Sequence, residues 1–580
     1  MKFSAITVSL SSAAALLASS AAALKIDDAF LGARSSSSCK CFPGDACWPS
    51  TAAWSSLNST VGGKLIKTVP LGSPCHDPTF DGDRCEYLQD EWKSPSIHMN
   101  SSSSVMAPFF ANQSCDPFQP ESRPCLLGNY VRYAVNATTA KHVQAAIKFA
   151  KANNIRFVIR NTGHDYNGRS TGAGALSVWT HYMKDIQVVD WKSASYTGKA
   201  LKLGAGVQGF EAMEVADANG LAIVSGECPT VSVGGGYTQG GGHSALSTSF
   251  GLGVDNVLEW EVVTADAKVV KASRTQNADL FWALNGGGGG NWGVATSVTV
   301  RAHPDATVSG ASVVFLSSNN EASAFWQAID AFHEELADMV DAGTMVVYYF
   351  SASFFQIAPI NAYNMTEAQV RNTLAPFQAR LNDLGINYTA TFTEFPSYKE
   401  HFNKYFGPLP IGAIQVGIAQ YGGRLIPRES ITNITSFSRT IGDHDGAIFI
   451  GVGTDVSSFA PSGQKNDQAS AQPVWRDTLV HATITTPWSF QAPWSEMIAN
   501  QDLMTNVLMP AIEAVTPNGG AYQNEADFRQ PNWQEAFFGS NYYALQCIKE
   551  KWDPQGFFYA LNGVGSEQWK VAVDGRMCRA

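Results

Sequence analysis

The sequence predicts an α+β fold made of two structurally different parts. Between residues 125 and 304, short strand-like and helix-like pieces alternate; between residues 305 and 515, consecutive strand-like segments lie between long helical patterns. Runs of adjacent strands between helices are typical of an antiparallel sheet covered by helices. Of the 580 residues, 45% are apolar and 15% charged, so a large core is expected and a mainly disordered chain is excluded.

The first 23 residues have the pattern of a secretory signal peptide. Lys2 supplies a positive charge, a mostly apolar stretch follows, and Ala21 to Ala23 form a small-residue cleavage site. The apolar stretch is short and interrupted by serine, so it would span a membrane poorly. We therefore expect export, with no membrane anchor.

Residues 24–124 are rich in Ser, Pro and Cys and predict a loop-rich extension held by disulfides. Seven of the ten cysteines lie between Cys39 and Cys125, which in an oxidising compartment favours disulfides over a metal site. Seven N-glycosylation sequons agree with export. They are at Asn58, Asn100, Asn112, Asn136, Asn364, Asn387 and Asn433.

The segment from 125 to 304 opens with an amphipathic helix. Apolar residues recur from Val143 to Ala150 with helical spacing, after Thr138 or Thr139, and Arg156 to Arg160 is a short strand. The further elements predicted here are strands at 201–203 and 294–300, helices at 210–218 and 279–284, and a hairpin pairing 257–263 with 268–271.

Residues 305–515 form the second part, and residues 516–580 are an aromatic-rich closing segment. The helices predicted here are 321–341, 367–384, 494–515 and 542–550. The strands predicted are 345–353, 387–395, 413–421, 447–456 and 478–486.

Gly168 to Gly172 spell GxSxG, the nucleophile elbow of serine hydrolases. An elbow requires a strand that runs directly into the serine and a helix that leaves it. Here the preceding strand ends near Arg160 and the residues after Ser170 resemble a turn and a strand. A secreted hydrolase acting through Ser170 is therefore a disfavoured alternative.

Gly204 to Gly209 spell GxGxxG between a strand-like and a helical segment, and Glu227 follows 18 residues later. That context meets part of the requirement for a nicotinamide-dinucleotide site. The unit lies in mid-chain, however, and no further βα units continue it. A plain strand–turn–helix is the favoured interpretation.

The broadest pattern is a polar turn at 160–168 followed by glycine clusters at 226–236, 240–242 and 286–290. Glycine clusters let backbone N–H groups approach a ligand and form concave anion sites. The pattern indicates a phosphate-bearing cofactor. Nucleic acid is not expected, because the net charge is −11 and there is no basic run.

Several segments resemble the vanillyl-alcohol-oxidase-type (PCMH-type) FAD oxidases of the berberine-bridge-enzyme-like group. The segments are 160–170 (RNTGHDYNGRS), 226–236 (GECPTVSVGGG), 279–300 (DLFWALNGGGGGNWGVATSVTV) and 541–559 (NYYALQCIKEKWDPQGFFY). The N-terminal stretches at 69–78 and 101–118 look like secreted fungal proteins labelled isoamyl alcohol oxidases. The resemblance implies an FAD domain made from 125–304 and 516–580, with a substrate domain at 305–515.

The resemblance also implies which residues hold FAD. His164 would be bonded to the flavin 8α-methyl group and Cys228 to flavin C6. A disulfide role for Cys228 stays open, because removing it from ten cysteines leaves an odd number. The other cofactor-binding residues implied are Arg160, Asn161, Thr162, Gly163, Asp165, Thr230, Gly234, Gly235, Gly240, Gly241, His243 and Asn541.

The implied reaction is the oxidation of a small alcohol, of the secondary-metabolite or sugar type. Hydride passes to flavin N5, a base takes the hydroxyl proton, and O2 reoxidises the flavin to give hydrogen peroxide. A flavin dehydrogenase with another acceptor is the alternative. No metal is implied, and a monomer is favoured.

The expected catalytic base departs from the family pattern. Plant berberine-bridge-like alcohol oxidases typically carry a tyrosine directly after the asparagine of a Tyr-x-Asn segment, whereas here the segment reads Tyr522-Gln523-Asn524-Glu525. Glu525 is a candidate base if burial raises its pKa. A surface or salt-bridged glutamate is the open alternative, with Tyr522 and His481 as other candidate bases.

Overall fold

Three large β-sheets, besides two sheets of two strands each, organise the chain in the computed structural model, which describes residues 39–459 and 469–580. Residues 40–580 pack as one unit. The predicted signal peptide at 1–23 lies outside the described residues. The predicted α+β fold is confirmed.

The first sheet has four strands in the order β1-β2-β4-β3. They are β1 (Leu65–Lys67), β2 (Tyr133–Asn136), β3 (Phe157–Arg160) and β4 (Leu176–Trp179). Strands β2, β4 and β3 are parallel, and the helix Ala140–Ala152 connects β2 to β3. The Thr139 hydroxyl caps that helix by accepting from the His142 N–H, and its predicted apolar face is buried.

The second sheet has five antiparallel strands in the order β5-β6-β9-β7-β8. They are β5 (Ile186–Lys192), β6 (Thr197–Gly204), β7 (Val257–Val263), β8 (Val269–Ser273) and β9 (Val294–Arg301). The predicted hairpin is the pair β7–β8. The GxGxxG segment follows β6, which has only antiparallel neighbours. A dinucleotide site requires a parallel βαβ unit, so the nicotinamide alternative is wrong.

The third sheet has seven antiparallel strands in the order β13-β10-β12-β11-β15-β16-β14. They are β10 (Val308–Leu316), β11 (Met345–Phe350), β12 (Phe354–Tyr363), β13 (Thr389–Phe395), β14 (Ala419–Pro427), β15 (Ile448–Gly453) and β16 (Thr478–Pro487). Helices Ala322–Asp341 and Glu367–Asp383 bury their apolar faces in the core of this sheet.

Two strands of the third sheet, β10 and β12, were not predicted, and a third, β14, was predicted at shifted residues. Strand β12 contains Pro359, which usually argues against a strand; here it lies at a bulge, where the pairing of β12 with both neighbours changes register. Strand β10 has Gly and Ser among its apolar residues. The strand predicted at 413–421 begins six residues later, at Ala419.

The N-terminal extension contains more helix than predicted. Its helices are Thr51–Thr60, Gly82–Glu91, Pro95–Met99 and Pro108–Ala111. The predicted disulfide framework is confirmed by the pairs Cys41–Cys47, Cys75–Cys85 and Cys115–Cys125. Cys39 and Cys578 are also disulfide-bonded.

The remaining helices are shorter than the two that pack on the third sheet. They are Gly209–Asp217, Thr238–Gly240, Ser247–Phe250, Ala278–Leu284, Tyr398–Tyr405, Thr435–Gly442, Trp494–Leu503, Met509–Val515, Trp533–Phe538 and Tyr542–Trp552. Side chains from the last two helices share a core with the second sheet. Among the described residues, every helix is too short or too polar to cross a bilayer.

Candidate active site

A cavity of about 680 Å³ lies where the polar turn after β3, two glycine-rich segments, strands of the third sheet and residues 522–525 meet. That volume is typical of pockets that bury small molecules or cofactors. Most of the predicted cofactor-binding residues line it. They are Asn161, Thr162, Gly163, His164, Asp165, Cys228, Gly234, Gly235 and His243.

The polar turn after β3 is held from behind by Arg160. This buried guanidinium donates a hydrogen bond from Nη2 to the His98 carbonyl, 3.0 Å away. It also packs against Gly163, which has φ +93°, and a Cβ there would lie 2.5 Å from Arg160 Nη2. Gly163 is therefore required by both its φ and its close neighbour. Arg160 positions the turn and does not line the cavity.

Ser170 is not placed as a nucleophile. Its hydroxyl donates to Asp165 Oδ2 at 2.9 Å, and the same oxygen accepts from the Ser170 N–H at 2.7 Å. The strand before it ends ten residues earlier, at Arg160, and β4 follows instead of a helix. Because an elbow needs the serine between a strand and a helix, the hydrolase alternative is wrong.

His164 and Cys228 converge on one hydroxyl group. Thr230 Oγ1 lies 2.9 Å from His164 Nε2 and 3.3 Å from Cys228 Sγ. The two residues come from loops 64 positions apart, and each lines the cavity. Cys228 is a free thiol, so the disulfide alternative for it is wrong. The arrangement presents an imidazole and a thiol side by side to whatever fills this end of the cavity.

Burial controls the protonation of both groups. It lowers the pKa of His164 to about 3, helped by the positive charge of Arg160, so the imidazole is neutral and keeps a free lone pair at neutral pH. Burial raises the pKa of the Cys228 thiol, although Thr230 and two backbone N–H groups oppose the shift. The donors around Cys228 would stabilise a thiolate once a proton leaves.

Two glycine runs, at 234–236 and 289–290, line another part of the cavity, and we call them the glycine cradle. A Cβ on Gly289 would lie 2.9 Å from the Cα of Gly236, so the two backbones touch, and a Cβ on Gly236 would meet nothing within 4 Å. Two buried oxygens that border the cavity, Asn161 Oδ1 and Gln239 Oε1, have no hydrogen-bond partner among the residues that the structure describes. Backbone walls and unpaired polar atoms fit a long, polar cofactor such as FAD.

Gly240, Gly241 and Asn541 do not line the cavity. Gly240 admits the Asn524 amide, whose nitrogen would lie 2.4 Å from a Cβ, and Gly241 admits the Tyr522 ring. These two glycines position the C-terminal segment. Asn541 donates to the Ala471 carbonyl at 3.2 Å and lies away from the other predicted residues.

Glu525 joins two histidines at the edge of the cavity. Its Oε1 accepts from His243 Nε2 at 3.0 Å; its Oε2 accepts from His481 Nε2 at 2.9 Å and from the Thr483 hydroxyl at 3.3 Å. The Glu525 side chain is 27% exposed and lines the cavity, whereas His481 is fully buried behind it. The donor atoms lie within 4.8 Å of one another, as in a metal site. Hydrogen bonds join both histidines to Glu525, whereas His243 Nδ1 and His481 Nδ1 have no hydrogen-bond partner among the described residues.

The charge distribution in this cluster differs from the expected one. Burial favours a raised pKa for Glu525, but His243 and His481 together bring it well below its ordinary value. Burial would lower the pKa of His243, yet Glu525 and Glu227 raise it to about 10. Burial lowers the pKa of His481, against the attraction of Glu525. The condition that burial raises the pKa of Glu525 is not met, and the salt-bridged alternative describes this carboxylate, which pairs with His243 and His481.

Strand β16 explains why His481 faces the cluster. Residues two apart on a strand share a face, so His481, Thr483 and Thr485 point the same way. Thr483 and Thr485 line the cavity, and Glu525 lies between His481 and the cavity. His481 therefore orients the carboxylate and does not reach the cavity itself.

Tyr522 is buried beside the cluster and stays protonated. Its hydroxyl accepts from Asn524 Nδ2 at 2.8 Å, and burial together with the Glu525 charge raises its pKa well above the ordinary value. Asn524 Nδ2 also donates to the Gly236 carbonyl at 2.8 Å. The segment 522–525 is thus tied to the glycine cradle.

Sequence reasoning missed a stacked tyrosine pair. The rings of Tyr166 and Tyr421 lie 3.9 Å apart with an interplanar angle of 5°, and both line the cavity. Burial raises the pKa of Tyr421 to about 12, and it also raises the pKa of Tyr166 well above its ordinary value. Tyr166 stands inside the recognised motif, but no local signal on β14 pairs it with Tyr421.

The third sheet and the segment before β14 contribute a mostly aliphatic part of the cavity lining. Its side chains are Ile414, Val416, Ile418, Ile448, Ile450 and Val452, with Tyr349. Within the described residues, Arg169 is the only lysine or arginine lining the cavity, and its guanidinium is engaged. It donates to the carbonyls of Leu561 and Asn562 and to Gln523 Oε1.

Comparisons with known proteins agree with this geometry. A family model described as an FAD binding domain matches residues 131–273, and one described as berberine and berberine like matches residues 521–565. The FAD-linked oxidoreductase ZEB1 of Gibberella zeae is 58% identical over 94% of this chain and 96% of its own length.

Solved structures show the same fold. The VAO-type flavoprotein MtVAO615 from Myceliophthora thermophila C1 superposes with a TM-score of 0.89 at 41% identity, over 94% of this chain and all of that one. A glucooligosaccharide oxidase from Acremonium strictum, described with a 6-S-cysteinyl, 8α-N1-histidyl FAD, shares the fold with a TM-score of 0.60 at 20% identity. That match covers 75% of this chain and 92% of that one.

Proposed function

The chain belongs to the vanillyl-alcohol-oxidase-type FAD-linked oxidoreductases with a berberine-like C-terminal segment, and on this basis we propose that it is a secreted oxidase of neutral alcohols. The observation that carries the proposal is the convergence of His164 and Cys228 on Thr230 in a glycine-lined cavity. Export is supported by the predicted signal peptide, the sequons and the disulfides.

His164 and Cys228 are the residues that would hold FAD covalently. Both side chains contact the Thr230 hydroxyl, and this closeness suits two attachments to one flavin ring. The relative from Acremonium strictum carries both kinds of link. We assign residues 125–304 and 516–580 to the FAD half and 305–515 to the substrate half. When bound, FAD would supply the two-electron chemistry: it would accept hydride from the alcohol carbon and would be reoxidised by O2, which is reduced to hydrogen peroxide.

The protein's own task is to accept the hydroxyl proton, and Glu525 is placed for it. Glu525 lines the cavity and is ionised, so its free lone pairs can only accept. An ordinary alcohol would not protonate such a weak base. As hydride departs, however, the hydroxyl becomes that of a protonated carbonyl, a far stronger acid, so a weak base suffices. His243, His481 and Thr483 hold the carboxylate in position.

The proposed substrate class follows from the charged and the aliphatic side chains that line the cavity. A hydroxy acid would need a cation for its carboxylate, but the two cationic side chains of the described cavity, Arg169 and His243, are both bonded to other groups of the protein. Glu227 and Glu525 would also repel an anion. The aliphatic wall suits an uncharged carbon skeleton.

An absorbance spectrum followed by acid precipitation tests the cofactor. We expect a yellow protein whose flavin stays in the pellet; colourless protein would refute the proposal, and flavin in the supernatant would refute covalent attachment. A panel of neutral alcohols and matching hydroxy acids then tests the substrate class with an oxygen electrode. Reduction of a dye acceptor by alcohols, without oxygen uptake, would identify a dehydrogenase instead.

A further inference from the structure

Glu227 lies between the cofactor loop and the acid–base cluster. It directly precedes Cys228 in the chain, and its Oε1 lies 3.3 Å from His243 Nδ1. The other nitrogen of the same imidazole, Nε2, lies 3.0 Å from Glu525 Oε1. His243 is therefore held at both ring nitrogens by carboxylates from different parts of the chain.

The protonation of His243 follows from this geometry. Nε2 must donate, because an ionised carboxylate can only accept, and a second carboxylate at Nδ1 favours a proton there too. A histidine with both nitrogens protonated is an imidazolium. The other titratable groups around it are His481, whose ring centre is 5.0 Å away, and the protonated Tyr522 at 5.7 Å.

In the described part of the chain, no lysine or arginine contributes to the cluster. Glu227 itself faces three buried tyrosines, Tyr237, Tyr349 and Tyr398, whose pKa values burial and its charge raise. These hydroxyls remain neutral, so His243 is the only positive charge that Glu227 meets there among the described residues. Its contact at 3.3 Å is an ion pair more than an aligned hydrogen bond.

We infer that Glu227 is a positioning residue that keeps His243 doubly protonated and directed at Glu525, and so couples the cofactor-attaching loop to the proton acceptor. The inference rests on the proposed function for its catalytic meaning. Its physical content is independent, because it concerns the charge of one imidazole. A shift of the cofactor loop would move Glu227, and through it His243 and Glu525.

The test measures the protonation of His243 directly in the flavin-loaded enzyme. Hydrogen–deuterium exchange at the histidine C2 position, read by peptide mass spectrometry across pH 5–11, gives a titration midpoint for each histidine. In the unsubstituted protein we expect the midpoint of His243 near its pKa of about 10. In Glu227→Gln we expect His243 to bind its proton at least tenfold more weakly, so that its titration midpoint falls by about one pH unit.

Two variants make the result decisive. Glu227→Asp restores the charge and should return the midpoint towards the original value. Glu259→Gln removes another half-buried carboxylate, one paired with Lys271, and should leave His243 unchanged. An unchanged midpoint in Glu227→Gln overturns the inference. Should Glu227→Gln fail to fold, Glu227→Ala replaces it: a midpoint lower by about one pH unit supports the inference and an unchanged one overturns it.

The outcome is separable from the proposed function. An enzyme that lacks flavin or oxidises no alcohol defeats the function, whereas the His243 midpoint still reports on Glu227. Conversely, a yellow and active enzyme whose His243 titrates identically in both proteins defeats only the inference.

Discussion

Thr230 contacts both residues that we propose as attachment points for FAD. Its single hydroxyl lies beside His164 Nε2 and Cys228 Sγ, so its loss releases His164 and Cys228 together. We expect Thr230→Val, a change of nearly equal volume, to lower the fraction of covalently held flavin severalfold. The measurement is flavin fluorescence of the denatured protein against total flavin absorbance.

Thr171→Val is the matched control for that variant. Thr171 is also buried, but its hydroxyl donates to the Asn129 carbonyl, away from the attachment atoms. Its covalent fraction should match that of the unsubstituted protein. Full covalent flavin in Thr230→Val would show that the shared hydroxyl plays no part in attachment.

Glu525→Gln tests the proton acceptor. Glutamine keeps the shape but cannot accept a proton at neutral pH, and a positioned base typically contributes about 10²–10⁴-fold. We expect the anaerobic rate of flavin reduction by an alcohol to fall by that amount, with the covalent flavin retained. Because the pKa of Glu525 is far below its ordinary value, the original rate should not lose this base on acidification from pH 8 to 5. A variant that reduces at the original rate would assign the proton to another group.

At the scale of elements, the cavity depends on the contact between two glycine runs. Gly289 needs no unusual φ, so an alanine there is opposed only by the backbone of Gly236, 2.9 Å from the new Cβ. We expect Gly289→Ala to separate the runs and to lower flavin content per protein. Gly82→Ala, at a helix start where the nearest atom is 3.9 Å away, is the control. Equal flavin content in both variants would contradict the cradle.

Elements with a clear local period were predicted well. The helix Ala140–Ala152 and the β7–β8 hairpin follow from side-chain spacing and turn residues. The start of strand β14 was predicted too early because the segment from Ala413 to Ile418 is as apolar as a strand. Several of these side chains instead line the cavity. Local sequence cannot distinguish a ligand-facing loop from a buried strand.

At the scale of the whole molecule, buried histidines make the fold sensitive to acid. His333 is fully buried in the core of the third sheet, and within residues 39–459 and 469–580 neither of its nitrogens has a hydrogen-bond partner. Burial, with a contribution from Arg439, lowers its pKa to about 3. The unfolded chain therefore binds the proton more readily, near pH 6.5. Stability is full above that pH and falls as the pH drops towards 3.

We expect His333→Leu to remove that part of the loss. Between pH 7 and pH 5, the free energy of unfolding of the unsubstituted protein should fall by about 2 kcal/mol more than that of the variant. Urea unfolding at the two pH values measures the difference. His444→Leu, at a half-exposed position, should show no such gain. Equal pH dependence in His333→Leu would mean that His333 is not responsible.

The sequence by itself determined the fold class, the disulfide framework and the cofactor class. These follow from periodicity, cysteine clustering and the resemblance of motifs such as GECPTVSVGGG to a known family, all of which are local in the chain. Only the tertiary structure decided the chemistry of the cluster. His243, His481 and Glu525 meet across 282 and 44 residues, and their contact reverses the pKa shift that burial alone would give Glu525. Charge states depend on neighbours in space, and spacing along the chain does not specify those neighbours.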